Sequence, residues 1–171
     1  MSDEAAKTMA EGLLTAMRAE HEGHHFYRMA AQSTDDDKGV EVFERLAAEE
    51  LDHFEFLKKQ YESVLQTGKS DADLKLGPRS DLTGKSPIFS DKLRARVGDA
   101  HYEMTALAVG VQLGLSAERF YKKAADEAPD SGVAAFYREL AAWEKGHYEA
   151  LLAQQDDLKE DYWSAGGFAP F

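Results

Sequence analysis

Apolar residues recur along the chain at every third or fourth position: through Leu13, Met17, Tyr27 and Ala31; through Phe43, Leu46, Leu57 and Val64; through Met104, Leu107, Val111, Tyr121 and Ala125; and through Val133, Tyr137, Leu140, Leu151 and Leu158. Such spacing collects one apolar stripe on one side of an α-helix. It predicts four long helices, over about 3–33, 36–66, 91–127 and 130–158. The prolines, at 78, 87, 129 and 170, fall between or beyond these segments, where the missing N–H costs no helical hydrogen bond. Ser33-Thr-Asp-Asp-Asp-Lys-Gly39 and Ala128-Pro-Asp-Ser-Gly132 are short and rich in capping residues, so each flanking pair is expected to fold as an antiparallel hairpin.

Residues 68–90, between the hairpins, are rich in Gly, Ser, Asp and Pro. About 23 residues is long for a loop inside a compact domain. A bundle of ~30-residue helices is roughly 45 Å long, however, and an extended segment of this size spans that length. The segment is therefore read as a crossover running the length of a bundle; a flexible tether is the alternative, but it would leave each hairpin's apolar stripe in water. The expected organisation is one all-α domain over 1–171: hairpin 3–66, crossover 68–90, hairpin 91–158 and tail 159–171. The tail, aromatic and helix-breaking in Asp161–Phe171, is expected to fold over the bundle or a neighbouring subunit. Gly84-Lys-Ser86 looks like the end of a phosphate-binding loop, but Arg79 stands where that pattern needs glycine.

The two hairpins are related to each other. Shifting the chain on itself from 26 to 120, an offset of 94 positions, lays Phe26-Tyr27 on Phe120-Tyr121, Ala30-Ala31 on Ala124-Ala125 and Leu46-Ala-Ala48 on Leu140-Ala-Ala142. The same offset lays Glu50 on Glu144, His53 on His147 and Leu57 on Leu151, without a gap. A duplicated helical hairpin is the architecture this implies.

Composition narrows the chemistry. The 20 Lys+Arg against 32 Asp+Glu leave a net charge of -12, which argues against nucleic acid or an anionic membrane surface as partner. The absence of cysteine excludes disulfides, thiolate catalysis and thiolate-held metals on this chain, so any metal must use oxygen and nitrogen. The acidic start, Met1-Ser-Asp-Glu, lacks the basic-then-apolar pattern of a secretory signal, and a cytoplasmic location is expected. The most apolar stretch, Thr105–Leu115, is about eleven residues, roughly half of what crossing a bilayer takes.

Ionisable residues interrupt the apolar stripes in mid-helix: Glu20 and His24, Glu50 and His53, Glu118, Glu144 and His147. An unpaired carboxylate in a dry core costs several kcal/mol, and a divalent cation is a partner that several carboxylates and imidazoles can share. Positions 20 and 50 are centred on 35, inside the first turn, so Glu20 and Glu50 face each other at one height. Positions 114 and 144 are centred on 129, inside the second turn, which brings the second motif to the corresponding height. In Glu50-Leu-Asp-His53 and Glu144-Lys-Gly-His147 the i,i+3 spacing puts carboxylate and imidazole on one helix face, as one bridging and one terminal ligand. The metal-free alternative is a set of buried ion pairs between helices.

Over roughly 10–67 and 100–158 these motifs resemble the rubrerythrin-like proteins of the ferritin-like superfamily. The resemblance implies a ferritin-like four-helix bundle holding two iron ions, with Glu20, Glu50, His53, Glu144 and His147 as ligands and Tyr27 as a hydrogen-bond donor beside them. Tyr121 is the repeat-equivalent of Tyr27 and is read the same way, its hydroxyl satisfied by nearby carboxylates. Manganese or zinc accepts the same ligand types. The chain departs from the family on the third helix, where Gly114 stands at the repeat-equivalent of Glu20. Glu118, one turn later and leaning toward the N-terminus, is expected to fill that place as a sixth ligand. Its repeat partner is His24, and the alternative is that Glu118 pairs with His24 beside a weakened or mononuclear site. His21, His25 and His101 lie off the stripe and are expected to be ordinary surface or interface residues.

The activity the resemblance implies is a non-haem di-iron oxidoreductase reducing hydrogen peroxide or dioxygen. An external electron donor is implied as well, because the chain has no cysteines for a rubredoxin-type domain. An iron-binding or ferroxidase protein and a nonenzymatic scaffold with a degraded metal site are the other readings. The small residues of Val109-Gly-Val-Gln-Leu-Gly114 suit a central helix or a homodimer interface, and a homodimer is the expectation.

Overall fold

A computed structural model describes residues 3–78 and 87–167. Among the described residues there are no strands, and the helices are α1 (Asp3–Ser33), α2 (Asp37–Thr67), α3 (Asp91–Ala95), α4 (His101–Asp126) and α5 (Ser131–Ala165), with a 3-10 turn at Val97–Asp99. No described helix is long and apolar enough to cross a membrane. The capping residues foreseen in the turns do that work. Asp36 accepts from the Gly39 N–H at 2.9 Å to open α2, and Asp130 accepts from the Val133 N–H at 2.9 Å to open α5. At the far end of α2, Gly68 adopts φ 73°, which lets its N–H close on the Val64 carbonyl at 2.9 Å.

α1 packs on α2 and α4 on α5 as two antiparallel hairpins, and the pairs close on each other as a four-helix bundle. Two apolar clusters fill it. One, toward the α1–α2 turn, holds Tyr27, Phe43, Leu46, Leu107 and Leu151. The other, toward the α4–α5 turn, holds Leu13, Phe56, Leu57, Val133 and Leu140. Each fully buried side chain of this size stabilises by ~1.5–3 kcal/mol, and these two layers carry the cost of the ionisable residues between them.

The crossover leaves α2 at Thr67 and returns beside the opposite end of the hairpin, where Asp36 accepts from the Ser90 N–H at 3.1 Å and from the Ser90 hydroxyl. Its described ends therefore lie at opposite ends of the bundle. Repeat-related glutamines hold its two ends. Buried Gln60 exchanges hydrogen bonds with the backbone of Asp71 at 2.9 and 2.8 Å, and buried Gln154 accepts from the N–H groups of Ile88 and Phe89 at 2.6 and 3.2 Å. The middle of the crossover, with Gly84-Lys-Ser86, lies outside the described residues.

Two elements differ from the periodicity. The helix expected over 91–127 is broken at Arg96–Ala100, where Val, Gly and Asp are all weak helix formers. Gly98 there sits so close to α5 that a Cβ would lie 2.9 Å from Ala165 Cβ. The last helix runs past 158 to Ala165, because nothing in Lys159–Ala165 breaks a helix before Gly166-Gly167. The first part of the expected tail is thus helical, with Tyr162 packed against the core and its hydroxyl 2.7 Å from His101 Nδ1. Residues 168–171 lie outside the described residues.

Candidate metal centre

Between the two apolar clusters, α1, α2 and α5 bring Glu20, Glu50, His53, Glu144 and His147 together, each at most 4 % exposed. Glu20, Glu50, His53 and Glu144 each place one donor atom within 4.8 Å of the others. His53 Nδ1 lies 3.2 Å from Glu20 Oε2 and 3.7 Å from Glu144 Oε1. His147 Nδ1 lies 3.2 Å from Glu50 Oε1 and 3.9 Å from Glu144 Oε2. The two imidazoles stack with centroids 6.2 Å apart and planes 14° from parallel, one from each hairpin. Both Nδ1 atoms face the carboxylates.

Three carboxylates in so dry a volume cannot all ionise unless cations balance them. Burial, and then the charge of Glu20, pushes the Glu50 carboxyl well above the usual carboxylate range. Burial, with Glu50 and Glu20 beside it, does the same to Glu144. Glu20 goes the other way: burial opposes its charge, but hydrogen bonds from Glu50, His53 and Tyr121 outweigh it and hold the carboxyl low. Tyr121 donates its hydroxyl proton directly to Glu20 Oε1. Without metal, burial and the neighbouring carboxylates thus favour the protonated forms of Glu50 and Glu144.

The donor set fits a transition-metal pair. Oxygen and imidazole nitrogen suit iron, manganese or zinc. Two metal–ligand bonds of ~2.1 Å end to end reach about 4.2 Å, close to the 4.8 Å that spans the donor atoms of Glu20, Glu50, His53 and Glu144, so these four can share one ion. His147 Nδ1 and Glu144 Oε1 are buried and make no hydrogen bond among the described residues, although both point at the cluster. Donor atoms left in that state are what a bound cation would satisfy.

The other predicted residues fall as follows. Tyr27 is buried, its hydroxyl pushed well above the usual range by burial and then by Glu50 and Glu144; it lies against the α4 backbone at Gly110, and it is Tyr121 that bonds a cluster carboxylate. Glu118 is not brought into the cluster. Its carboxylate lies 2.5 Å from Lys122 Nζ on its own helix and accepts from Tyr148, and the Lys122 hydrogen bond holds its carboxyl below the usual range. His24 turns toward α2, with Nδ1 2.7 Å from the Ala47 carbonyl, so Glu118 does not pair with it. The place at Gly114 is not a gap: a Cβ there would lie 2.7 Å from Tyr148 Cβ, so α5 already occupies it. His21, His25 and His101 are exposed, as expected.

Three residues of the centre escaped the periodic reading. Glu49 is buried and lies 2.6 Å from His147 Nε2; its spacing of four from His53 was the available signal. Gly23 lets the Glu50 carboxylate lie against α1, where a Cβ would stand 3.0 Å from Glu50 Oε2. Trp143 packs edge-on against His53, centroids 4.7 Å apart.

Two antiparallel hairpins around a buried carboxylate–imidazole cluster define a ferritin-like protein with a metal-competent centre. The family model Rubrerythrin matches residues 11–155, a span that contains the whole cluster, and the chain belongs to the rubrerythrin family. No curated protein and no solved structure matches it.

Proposed function

We propose that this chain is a non-haem di-iron oxidoreductase that reduces hydrogen peroxide, or dioxygen, with electrons from an external donor. The observation that carries the reading is the facing pair of Glu-x-x-His motifs, in which His53 and His147 turn Nδ1 inward from opposite hairpins onto shared carboxylates. Membership of the rubrerythrin family supports oxidoreductase chemistry in general. Iron ions held by Glu20, Glu50, His53, Glu144 and His147 would supply the two electrons that reduction of such an oxidant takes.

The chain's own residues set the conditions for that chemistry. Glu20, Glu50 and Glu144 supply three negative charges, and Glu50 and Glu144 release protons when they become ligands. Tyr121 orients Glu20 by its hydrogen bond. The apolar layers above and below keep bulk water and large molecules out, which suits a substrate the size of peroxide. Reduction of hydrogen peroxide to two waters takes up two electrons and two protons, and with no cysteine on the chain the electrons come from a separate donor. A cytoplasmic homodimer is the setting we propose, with Val109 exposed on the small-residue face of α4 as a candidate contact.

The test is anaerobic addition of one equivalent of peroxide to the ferrous protein. The expected result is two irons per chain, both oxidised, and repeated turnover once a reductant is supplied. Binding of two irons that neither peroxide nor dioxygen oxidises would refute the reading. The net charge of -12 favours iron handling as a second reading, because an acidic surface concentrates cations; uptake of many irons per chain is the result that would select it.

A further inference from the structure

The internal repeat makes the two halves of the centre directly comparable, and they differ. Glu49 and Trp143 occupy equivalent positions, 94 apart, each one residue before the glutamate of its motif. Glu49 reaches across from α2 to His147, its Oε2 2.6 Å from Nε2. Trp143 reaches across from α5 to His53 and offers only its ring, leaving His53 Nε2 buried without a hydrogen bond among the described residues. The halves differ a second time at the repeat-equivalent pair Glu20 and Gly114. The His53 half has the Glu20 carboxylate beside its imidazole. The His147 half has Glu50 beside its imidazole but no carboxylate from α4, since α5 fills the place at Gly114 and Glu118 is held by Lys122.

These two asymmetries fall on the same side. The half that lacks a terminal carboxylate in front of its histidine is the half that has a carboxylate behind it. We infer that Glu49 is a positioning residue that acts through His147 and makes the two metal positions unequal: the His53 position, with Glu20, Glu50 and Glu144 around it, binds tightly unaided, and the His147 position depends on Glu49. The Glu49 oxygen 2.6 Å from Nε2 is placed to accept the imidazole N–H there, which holds the ring proton on Nε2 and aims the Nδ1 lone pair at the cluster. It also strengthens the imidazole as a donor and adds a negative charge within one ring of the ion. The charge that the family carries on its third helix is supplied here from the second.

The inference rests on the di-metal reading and is tested with the metal alone. Chelator-stripped protein is titrated with Co2+ by calorimetry and visible absorption. Wild type is expected to take up two ions in two resolved steps. Glu49→Gln, which keeps shape and removes charge, is expected to weaken the second step by ~10–100-fold and to leave the first within about threefold. Glu49→Asp is expected to recover part of the loss, and Trp143→Phe to leave the second step unchanged. In the Co2+ protein the hyperfine-shifted Nε2–H signal of His147 moves in Glu49→Gln while that of His53 stays. Equal weakening of both steps, with or without a fall in thermal stability, would overturn the inference in favour of a merely structural Glu49, as would no change in either. Wild type that binds no Co2+ overturns the di-metal reading too, so the two failures are told apart.

Discussion

Replacing Gly114 with alanine tests whether the missing carboxylate is a vacancy or a packing contact. An added Cβ would sit 2.7 Å from Tyr148 Cβ and 3.4 Å from the Glu144 carbonyl and the Tyr148 nitrogen. Ordinary carbon–carbon contact is at ~3.5–4.0 Å, so α4 and α5 must part by about 1 Å, and because the obstacle is a Cβ no side-chain rotation relieves it. Overpacking of this kind costs ~1–3 kcal/mol, against a gain of ~1 kcal/mol for alanine over glycine in a helix interior. A net loss of about 1 kcal/mol, or ~2–4 °C in a chain of this size, is expected. Gly12→Ala is the control: its Cβ meets only the far end of Tyr137, the hydroxyl, at 3.4 Å, so the propensity gain of up to ~1 kcal/mol should survive. Thermal unfolding of the two metal-free variants by far-UV circular dichroism compares them directly. If Gly114→Ala melts as high as Gly12→Ala, the close approach of α4 and α5 is wrong and the place is open to a ligand. The same contact predicts that Gly114→Glu adds no ligand.

Two further predictions concern the charges. Because burial and neighbouring carboxylates raise Glu50 and Glu144, and hydrogen bonding to Glu49 raises His147 against the effect of burial, the folded metal-free chain holds more protons than the unfolded chain above the ordinary carboxylate value of 4.5. Its stability is therefore expected to fall as pH rises through the folded values. Glu20, shifted downward, acts in the opposite sense and is lost only at more acid pH. Denaturant midpoints at about pH 5 and pH 8 check this, and a metal-free midpoint that rises between them contradicts it; the metal-loaded protein should show a flatter profile. Glu118→Gln is expected to leave metal stoichiometry and affinity unchanged, since Lys122 and Tyr148 hold that carboxylate; loss of a metal ion by elemental analysis would return it to the site.

Helical periodicity, capping turns and the 94-residue offset were enough to read the two hairpins, their relation and the two Glu-x-x-His motifs from the chain alone, because each depends on spacing within a single helix. The Lys122 partner of Glu118 was legible in the same way, four residues on, and the breaks at Val97-Gly98-Asp99 and Gly166-Gly167 are local as well. What spacing leaves undetermined is how each helix is rotated about its axis against its neighbours. Glu49 stands about 100° around α2 from Glu50, a difference that reads as off the stripe until α5 is placed opposite and His147 meets it. Gly114 reads as an absent ligand until Tyr148 is seen where a side chain would go. Spacing along the chain sets the helices and the donor atoms they carry at mid-height. Tertiary packing alone decided which carboxylates share a dry volume and which turn out to a lysine, because that depends on distances of a few ångströms between chain segments about a hundred residues apart.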